Sequence, residues 1–203
     1  MKFNELTRKY GNLGEKREKK IGRFSATDLY GIIKGYTTPK DFLNAPQMDE
    51  KGSLNCLRGD TIEYGVLQVW KRSGAKFDTQ IKREIIIDDL TFVAIADFHF
   101  GDKILECKSP EKFTGYKDYN KYQCELQYRI FNVPIYIGYY NFIDGNLTEQ
   151  GSYKYEPSDA LWNLIQHKCI VFNQLLKIYV EQIEKNKIKE EDQGPSSKTK
   201  KIS

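Results

Sequence analysis

The sequence has few residues of the kinds that build cysteine or histidine sites. Its four cysteines are isolated and form no C-x-x-C pair, which argues against a zinc or iron–sulfur centre and favours small buried apolar residues. Neither of the two histidines, His99 and His167, has a serine or cysteine neighbour placed as a nucleophile–base pair. Acyl-transfer chemistry is therefore not expected.

Long apolar runs and a large excess of one charge are also missing. No run is long enough to cross a bilayer and no hydrophobic signal segment opens the sequence, so we expect a soluble cytoplasmic protein without membrane association. The formal net charge of +4 permits an anionic partner without requiring one. With 203 residues, 39% hydrophobic and 13% aromatic, the chain can form one domain with a real core.

Three segments are expected along the chain. Residues 1–23 are polar and rich in lysine and arginine, which predicts a helical or mobile basic arm. Residues 24–186 carry the apolar patterns of a folded domain. Residues 187–203 are charged and then rich in small polar residues, which predicts a disordered tail.

Within the domain, the patterns predict alternating helices and strands. Helices are expected from Ser25, near 40–43, and over 54–73, 111–132 and 158–186. Strands are expected at 85–87, in a hairpin over 92–108, at 134–142 and after the turn at Asp144-Gly145. The buried side of the last helix is expected to comprise Leu161, Leu164, Ile165, Phe172, Leu175, Leu176, Tyr179 and Ile183.

The hairpin is the most informative stretch. Asp97 ends its first apolar run, a Gly-Asp pair suits a two-residue turn, and the second run carries Glu106 and Lys108. Residues two apart in a strand share a face, so Glu106 and Lys108 project together and Asp97 lies beside Glu106 across the ladder. Clustered carboxylates repel unless a cation lies between them, and Mg²⁺ suits such oxygen ligands. The alternative is an ordinary exposed hairpin with solvated charges.

A further carboxylate, Glu63, interrupts the apolar stripe of the 54–73 helix. Burying it is costly unless a metal or a lysine pairs with it. Alternatively, Glu63 lies at the edge of the stripe and reaches solvent.

Two basic stretches are candidate contacts for phosphates. The helix start at Ser25 and Thr27 follows Lys20 and Arg23, so free backbone N–H groups and cations are expected to point the same way. A capped surface helix with basic neighbours is the equal alternative. Residues 112–122 interleave lysines and aromatics, which suits a nucleic-acid strand but is also the spacing of ordinary packing tyrosines.

The order of these motifs resembles the PD-(D/E)XK nuclease superfamily, and more nearly the lambda-exonuclease and YqaJ-type viral recombination nucleases. The resemblance covers roughly residues 20–140. It rests on IGRFSAT at 21–27, RGDTIE at 58–63, IAD at 95–97, LECK at 105–108 and QCELQ at 123–127. The chain departs from the family pattern at Lys20 (usually arginine), Ala96 (proline), Phe98 (glycine) and Glu125 (glutamine).

The resemblance implies an α/β (α+β) restriction-endonuclease-like core, with a central mixed β-sheet flanked by helices. It implies a Mg²⁺-dependent deoxyribonuclease, a 5′-to-3′ exonuclease of viral or phage DNA recombination or replication, in which Mn²⁺ can substitute. The implied catalytic residues are Asp97, Glu106, Lys108 and Gln123. The implied metal ligands are Glu63, Asp97, Glu106 and the carbonyl of Cys107. The implied DNA contacts are Lys20, Arg23, Ser25, Thr27, Lys112 and Tyr116.

The implied partners are DNA, further copies of the chain in a ring trimer or dimer, and a single-strand annealing protein, in the host cytoplasm if the protein is viral. One alternative is a RecB-like single-strand endonuclease, although the clustered downstream cysteines of its iron–sulfur relatives are missing and no such cluster is expected. Two others are a non-catalytic DNA-binding module on the same fold and a structural protein whose carboxylates bind a stabilising ion. Strand polarity and exo- versus endonuclease action stay open at this point.

Overall fold

A six-stranded mixed sheet organises the protein. The structure is a computed structural model and describes residues 19–44 and 50–192. The strands are β1 (Arg23–Ser25), β2 (Asp78–Ile87), β3 (Leu90–His99), β4 (Ile104–Lys108), β5 (Ile135–Ile143) and β6 (Asn146–Lys154). The helices are α1 (Ala26–Lys34), α2 (Pro39–Leu43), α3 (Glu50–Arg72), α4 (Asn120–Phe131) and α5 (Asp159–Asp192).

The two edges of β3 are paired differently. Strand β2 pairs antiparallel with β3 along its length, from Asp78 opposite His99 to Ile87 opposite Leu90. The other edge of β3 is shared by β1, which pairs in parallel, and β4, which pairs antiparallel. Since β1 reaches only Val93 and β4 only Phe98, the stretch between them has no ladder partner on that edge. The sheet continues through β5, parallel to β4, and then β6.

The side chains of β3 change face next to this gap. Ala96 is buried in the larger core cluster and Phe98 in the smaller one, although residues two apart normally share a face. The residue between them is Asp97. Opposite it on β2, Gln80 has φ of 53°, a left-handed value that non-glycine residues seldom adopt. The irregularity therefore lies at one position of both strands.

Helices cover both faces of the sheet. On one face, α1, α2, α4 and α5 pack with the sheet around Phe24, Phe92 and Phe172. On the other face, α3 packs against β4 and β5 through Ile62, Val66 and their neighbours. The predicted central mixed sheet flanked by helices is confirmed. None of the helices within the described ranges is long and apolar enough to cross a membrane.

Several predicted boundaries shift. The helix expected over 111–132 begins only at Asn120, because the preceding segment turns at Gly115 (φ 90°) and packs Phe113 against Tyr139 of β5. Strand β1 was not predicted, and it places Arg23 in the sheet rather than in an arm. Residues 1–18 of the predicted arm lie outside the described residues.

The last helix also differs from its prediction. It begins after Ser158, whose Oγ accepts from the N–H of Leu161 (3.3 Å), as expected of a cap. It extends to Asp192 instead of ending near 186, and residues 193–203 of the predicted tail lie outside the described part of the chain. Leu164 and Leu175, expected on the buried side, are 39% and 48% exposed. The apolar stripe is wide, and only its centre is buried.

Candidate active site

Asp97, Glu106 and Lys108 converge where β3 and β4 separate. The ladder between the two strands ends at Phe98 and Leu105, so the next facing pair is Asp97 and Glu106. Side chains replace the missing backbone bonds there. The N–H of Asp97 donates to Oε1 of Glu106 (3.3 Å), and the N–H of Cys107 donates to Oδ2 of Asp97 (2.9 Å). The predicted neighbourhood of these two carboxylates is thus present.

Glu106 is fully buried and accepts four hydrogen bonds. Its Oε2 accepts from Nζ of Lys108 (3.1 Å) and from Nε2 of Gln123, and its Oε1 accepts from Nε2 of Gln127 in addition to Asp97. A carboxylate has about four lone-pair positions, so Glu106 is saturated. One of these donors would have to move before Glu106 could bind a cation.

Lys108 is held between Glu106 and the carbonyl oxygen of Gln123, at 3.1 and 3.0 Å from its Nζ. Burial by itself would lower the pKa of Lys108, but the carboxylates of Glu106 and Asp97 raise it above its usual value. Lys108 is consequently an ammonium in this arrangement, and it acts as a donor and a positive charge.

The surroundings of Asp97 disfavour the ionised form of its carboxyl. Burial, followed by the neighbouring Glu106 and Glu63, raises its pKa well above the usual range, against the opposing effects of Lys108 and of the Cys107 N–H. Burial likewise raises the pKa of Glu63, and Glu106 adds to the shift. Glu63 is half-buried on α3, so neither a fully buried nor a freely solvated carboxylate describes it.

Gln80 connects these carboxylates and was not singled out by the sequence. Its Nε2 donates to Oε1 of Glu63 (2.7 Å) and makes a longer contact with Oδ1 of Asp97 (3.4 Å). The amide thus lies between two carboxylates that would otherwise repel each other. Its segment, Asp78–Lys82, is mostly exposed and lacks apolar alternation, so the sequence contains no signal for it.

The donor set suits a hard cation such as Mg²⁺, because crowded carboxylates with raised pKa values gain from a positive ion between them. Asp97 and Glu63 offer oxygens that now share one amide hydrogen-bond donor. Within the part of the chain that the structure describes, no group of three histidine, cysteine or acidic side chains is already arranged to hold a metal ion. Side-chain adjustment, above all at Gln80 and Glu106, would accompany binding.

A cavity of about 580 Å³ joins the acidic cluster to the start of α1. Four of the six residues predicted to contact DNA line it, together with three of the predicted catalytic residues. The lining comprises Lys19, Lys20, Arg23, Ser25, Ala26, Thr27, Asp28, Gln80, Lys82, Val93, Ile95, Asp97, Lys108 and Gln123. The carboxylate of Asp97 and the basic and hydroxyl groups suited to phosphate therefore line the same cavity. The gap between β1 and β4 along the edge of β3 makes this possible.

The start of α1 is ordered by its own side chains. The N–H and Oγ of Ser25 donate to Oδ2 of Asp28 (2.8 and 2.6 Å), and Oγ of Ser25 lies 2.9 Å from Oγ1 of Thr27. Lys19 pairs with Asp28. Arg23 pairs with Glu84 of β2 (2.6 Å). A phosphate bound here would compete with Asp28 for Lys19 and with Glu84 for Arg23.

Lys112 and Tyr116, the other two predicted DNA contacts, do not line this cavity. Lys112 is exposed in the segment before α4. Tyr116 is half-buried against Tyr153 of β6, with ring centroids 5.7 Å apart, and belongs to a separate cavity. Tertiary packing therefore accounts for Tyr116, which was the alternative expectation for it.

Glu125, where the resembling family has a glutamine, faces away from the cluster. It is fully buried and accepts from Arg129 (2.7 Å), the hydroxyl of Tyr155 and the N–H of Ser158 (2.9 Å). It thereby anchors the start of α5 to α4. The departure from the family pattern leaves Gln123 and Gln127 in place beside Glu106.

Comparisons with known proteins identify the fold. No family model matches the sequence, and no curated protein does so. An alkaline exonuclease from Laribacter hongkongensis, solved alone and in complex with dAMP, matches with a TM-score of 0.61 and 17% identity over 83% of this chain and 95% of that chain. SSO0001 matches with a TM-score of 0.58 and 18% identity over 85% and 87%.

A third solved structure points the same way. A phage-related exonuclease from Haemophilus somnus matches with a TM-score of 0.54 and 10% identity, over 76% of this chain and 83% of that chain. At such identities the likeness concerns the fold. The protein thus has the fold of an alkaline exonuclease and a phage-related exonuclease, as its motifs predicted.

Proposed function

We propose that the protein is a metal-dependent deoxyribonuclease that acts as an exonuclease. The observation that carries this proposal is the convergence of Asp97, Glu106 and Lys108 beside a cavity that Asp97 and Lys108 line together with the basic start of α1. The likeness to exonuclease folds, one of them solved with dAMP, supports the same conclusion. Carboxylates alone would repel a phosphodiester, so a cation-binding and a phosphate-binding surface are needed together.

Hydrolysis needs an activated water and compensation of the charge that develops on the phosphate. A Mg²⁺ ion held by Asp97, Glu106 and the carbonyl of Cys107, with Glu63 beside it, would lower the pKa of water and neutralise phosphate charge. Lys108 would supply a fixed positive charge and orient the water. Gln123 would hold Lys108 in place, as it does through its 3.0 Å bond.

Polarity would come from the α1 end of the cavity. Lys20 and Arg23, with the hydroxyls of Ser25 and Thr27 and the first N–H groups of the helix, suit a terminal 5′ phosphate. A 5′-to-3′ direction follows from that placement. We further propose a role in viral or phage DNA recombination or replication. The partners would be further copies of the chain, in a ring trimer or dimer, and a single-strand annealing protein.

The test is digestion of linear duplex DNA labelled at either end, and of closed circular plasmid, with Mg²⁺ or Mn²⁺ and with EDTA. We expect divalent-dependent loss of label from the 5′ end and little action on the circle. Asp97→Ala, Glu106→Ala and Lys108→Ala should each reduce the rate by about 10²-fold or more. Asp102→Ala, in the exposed hairpin loop, is the matched control.

Three results would contradict the proposal. Cleavage by Lys108→Ala at the wild-type rate would remove the assigned mechanism. DNA binding without any cleavage would favour a non-catalytic module instead, and rapid cutting of the closed circle would favour the endonuclease alternative.

A further inference from the structure

Three exposed tyrosines form a cluster next to the catalytic cavity. Tyr30, Tyr36 and Tyr119 are 38%, 70% and 50% exposed. The ring of Tyr30 lies between the other two, with centroids 5.8 Å from Tyr36 and 5.9 Å from Tyr119. Below them, the ring of Tyr122 is buried and lies 6.0 Å from Tyr30. The cluster thus has a packed base and an exposed surface of aromatic rings.

Helix periodicity places this cluster beside the cavity on two sides. Tyr30 is three residues after Thr27 on α1, and Thr27 lines the cavity. Tyr119 has helical backbone angles at the start of α4, four residues before Gln123, which also lines the cavity. Residues three or four apart are neighbours on one helix face, about 5–6 Å apart. A strand with a phosphate in the cavity would therefore pass these rings.

The backbone around Tyr36 is closely packed. Gly35 ends α1 in a left-handed conformation (φ 73°), and the N–H of Tyr36 donates to the carbonyl of Gly31 (2.8 Å). The chain returns so closely that a Cβ on Gly31 would lie 2.2 Å from the hydroxyl of Thr37. The position of Tyr36 is therefore fixed by backbone contacts, although most of its side chain is exposed. A backbone that is already ordered loses little conformational entropy when a ligand binds.

The surrounding charge suits a polyanion. Lys34 follows Tyr30 by one turn of α1 and is exposed. Lys121 lies over the ring of Tyr122 at 5.4 Å and is paired with Asp118 at 2.8 Å. The cavity beside the cluster contributes Lys19, Lys20 and Lys82. Aromatic faces flanked by lysines are the surface on which unpaired bases stack while their phosphates are neutralised.

We propose that Tyr30, Tyr36 and Tyr119 form a stacking platform for the unpaired bases of the strand whose phosphate occupies the catalytic cavity. The inference rests on the proposed function, and it specifies the form of the substrate: single-stranded DNA next to the scissile bond, bound with little dependence on base sequence. Each base has an aromatic face, so stacking tolerates all four.

The experiment measures binding in EDTA, where cleavage is not expected. A fluorescently labelled, 5′-phosphorylated single strand of about ten nucleotides is titrated with wild type, Tyr36→Ala and Tyr119→Ala. Stacking is worth about 1–3 kcal/mol per base, so each variant should bind about 5- to 150-fold more weakly. Tyr36→Phe and Tyr119→Phe should bind as wild type does. Tyr64→Ala, which removes a 38% exposed tyrosine on α3, is the control.

A second strand, with abasic sites throughout, separates stacking from other contacts. Wild type should bind it about 5-fold or more weakly than the normal strand, and the tyrosine variants should no longer differ from wild type. Equal weakening on both strands, or no weakening in either alanine variant, would overturn the platform. If wild type still cleaves DNA in that case, the proposed function stands; if it neither binds nor cleaves DNA, both fail.

Discussion

At the residue scale, Asp97 lies where the proposed cation would bind, in a buried environment that disfavours an ionised carboxyl. Its carboxyl has a raised pKa, so the folded protein favours the protonated form. Without a cation, this group lowers stability as the pH rises from the usual pKa of 3.8, and the loss is complete once the pH exceeds the raised folded-state pKa. The proposed cation would offset this loss of stability.

We therefore expect Asp97→Asn to stabilise the metal-free protein near neutral pH. The melting temperature in EDTA should rise, by about 2–4 °C for each kcal/mol gained in a chain of this size. The same variant should lose cleavage activity. Asp102→Asn in the hairpin loop is the control and should change neither property. A lower melting temperature for Asp97→Asn would show that the ionised carboxylate stabilises the fold.

Gln80 provides a second prediction at this scale. Its φ of 53°, near the start of β2, costs a non-glycine residue about 1–2 kcal/mol. Both Gln80→Gly and Gln80→Ala remove the amide that bridges Glu63 and Asp97, so their difference reports the backbone alone. We expect the glycine variant to be more stable by about 1 kcal/mol in denaturant unfolding. If the alanine variant is the more stable, the backbone at Gln80 is not strained.

The sequence indicated part of this site and not the rest. Glu106 and Lys108 share a strand face, and Asp97 is brought beside them by a two-residue turn, so local rules were sufficient. Gln80 depends on the pairing of β2 with β3 at a position without apolar alternation. Tyr116 has helical spacing to its neighbours, yet its packing is decided by Tyr153, a residue distant in sequence.

At the scale of elements, the segment before α4 is ordered by β5 rather than by helix formation. The hydroxyl of Tyr139 accepts from the N–H of Lys117 (3.1 Å) and from Nδ2 of the buried Asn120 (2.8 Å). This fixes the residue at which α4 begins, and hence the rotation that presents Gln123 to Lys108. Predicting it would have required knowing the tertiary partner.

Tyr139→Phe should therefore destabilise the protein by about 1–3 kcal/mol, because Asn120 is left as a buried unsatisfied donor. Chemical denaturation provides the measurement. Tyr153→Phe is the control, because the ring of Tyr153 packs against that of Tyr139. It should lower the free energy of unfolding by less. Equal stability of Tyr139→Phe and wild type would mean that another group satisfies Asn120.

The start of α1 supports a prediction about substrate ends. Lys20→Ala should slow digestion of 5′-phosphorylated duplex by about tenfold or more, since one charge-assisted contact is worth about 1–3 kcal/mol. Digestion of 5′-hydroxyl duplex should change little. Lys168→Ala, an exposed lysine of α5, is the control. Equal slowing on both ends would make Lys20 a general backbone contact, without a role in polarity.

At the scale of the whole molecule, the proposed ion should act on stability as well as on activity. A ligand that binds only the folded state at 100 times its dissociation constant adds about 2.7 kcal/mol. Mg²⁺ should therefore raise the melting temperature of wild type and have little effect on Asp97→Ala. A matched rise in both proteins would place the ion elsewhere.

The short pairing of β1 with β3 also has a consequence for the order of folding. Phe24 pairs with Phe92, although α1, α2, α3 and β2 lie between them in the chain. Closing so long a loop costs entropy and is rewarded by only three residue pairs. On the ribosome, β1 emerges well before its partner and must wait for it. The end of the cavity lined by Arg23, Ser25 and Thr27 is therefore completed late, so an incompletely synthesised chain would lack the complete cavity.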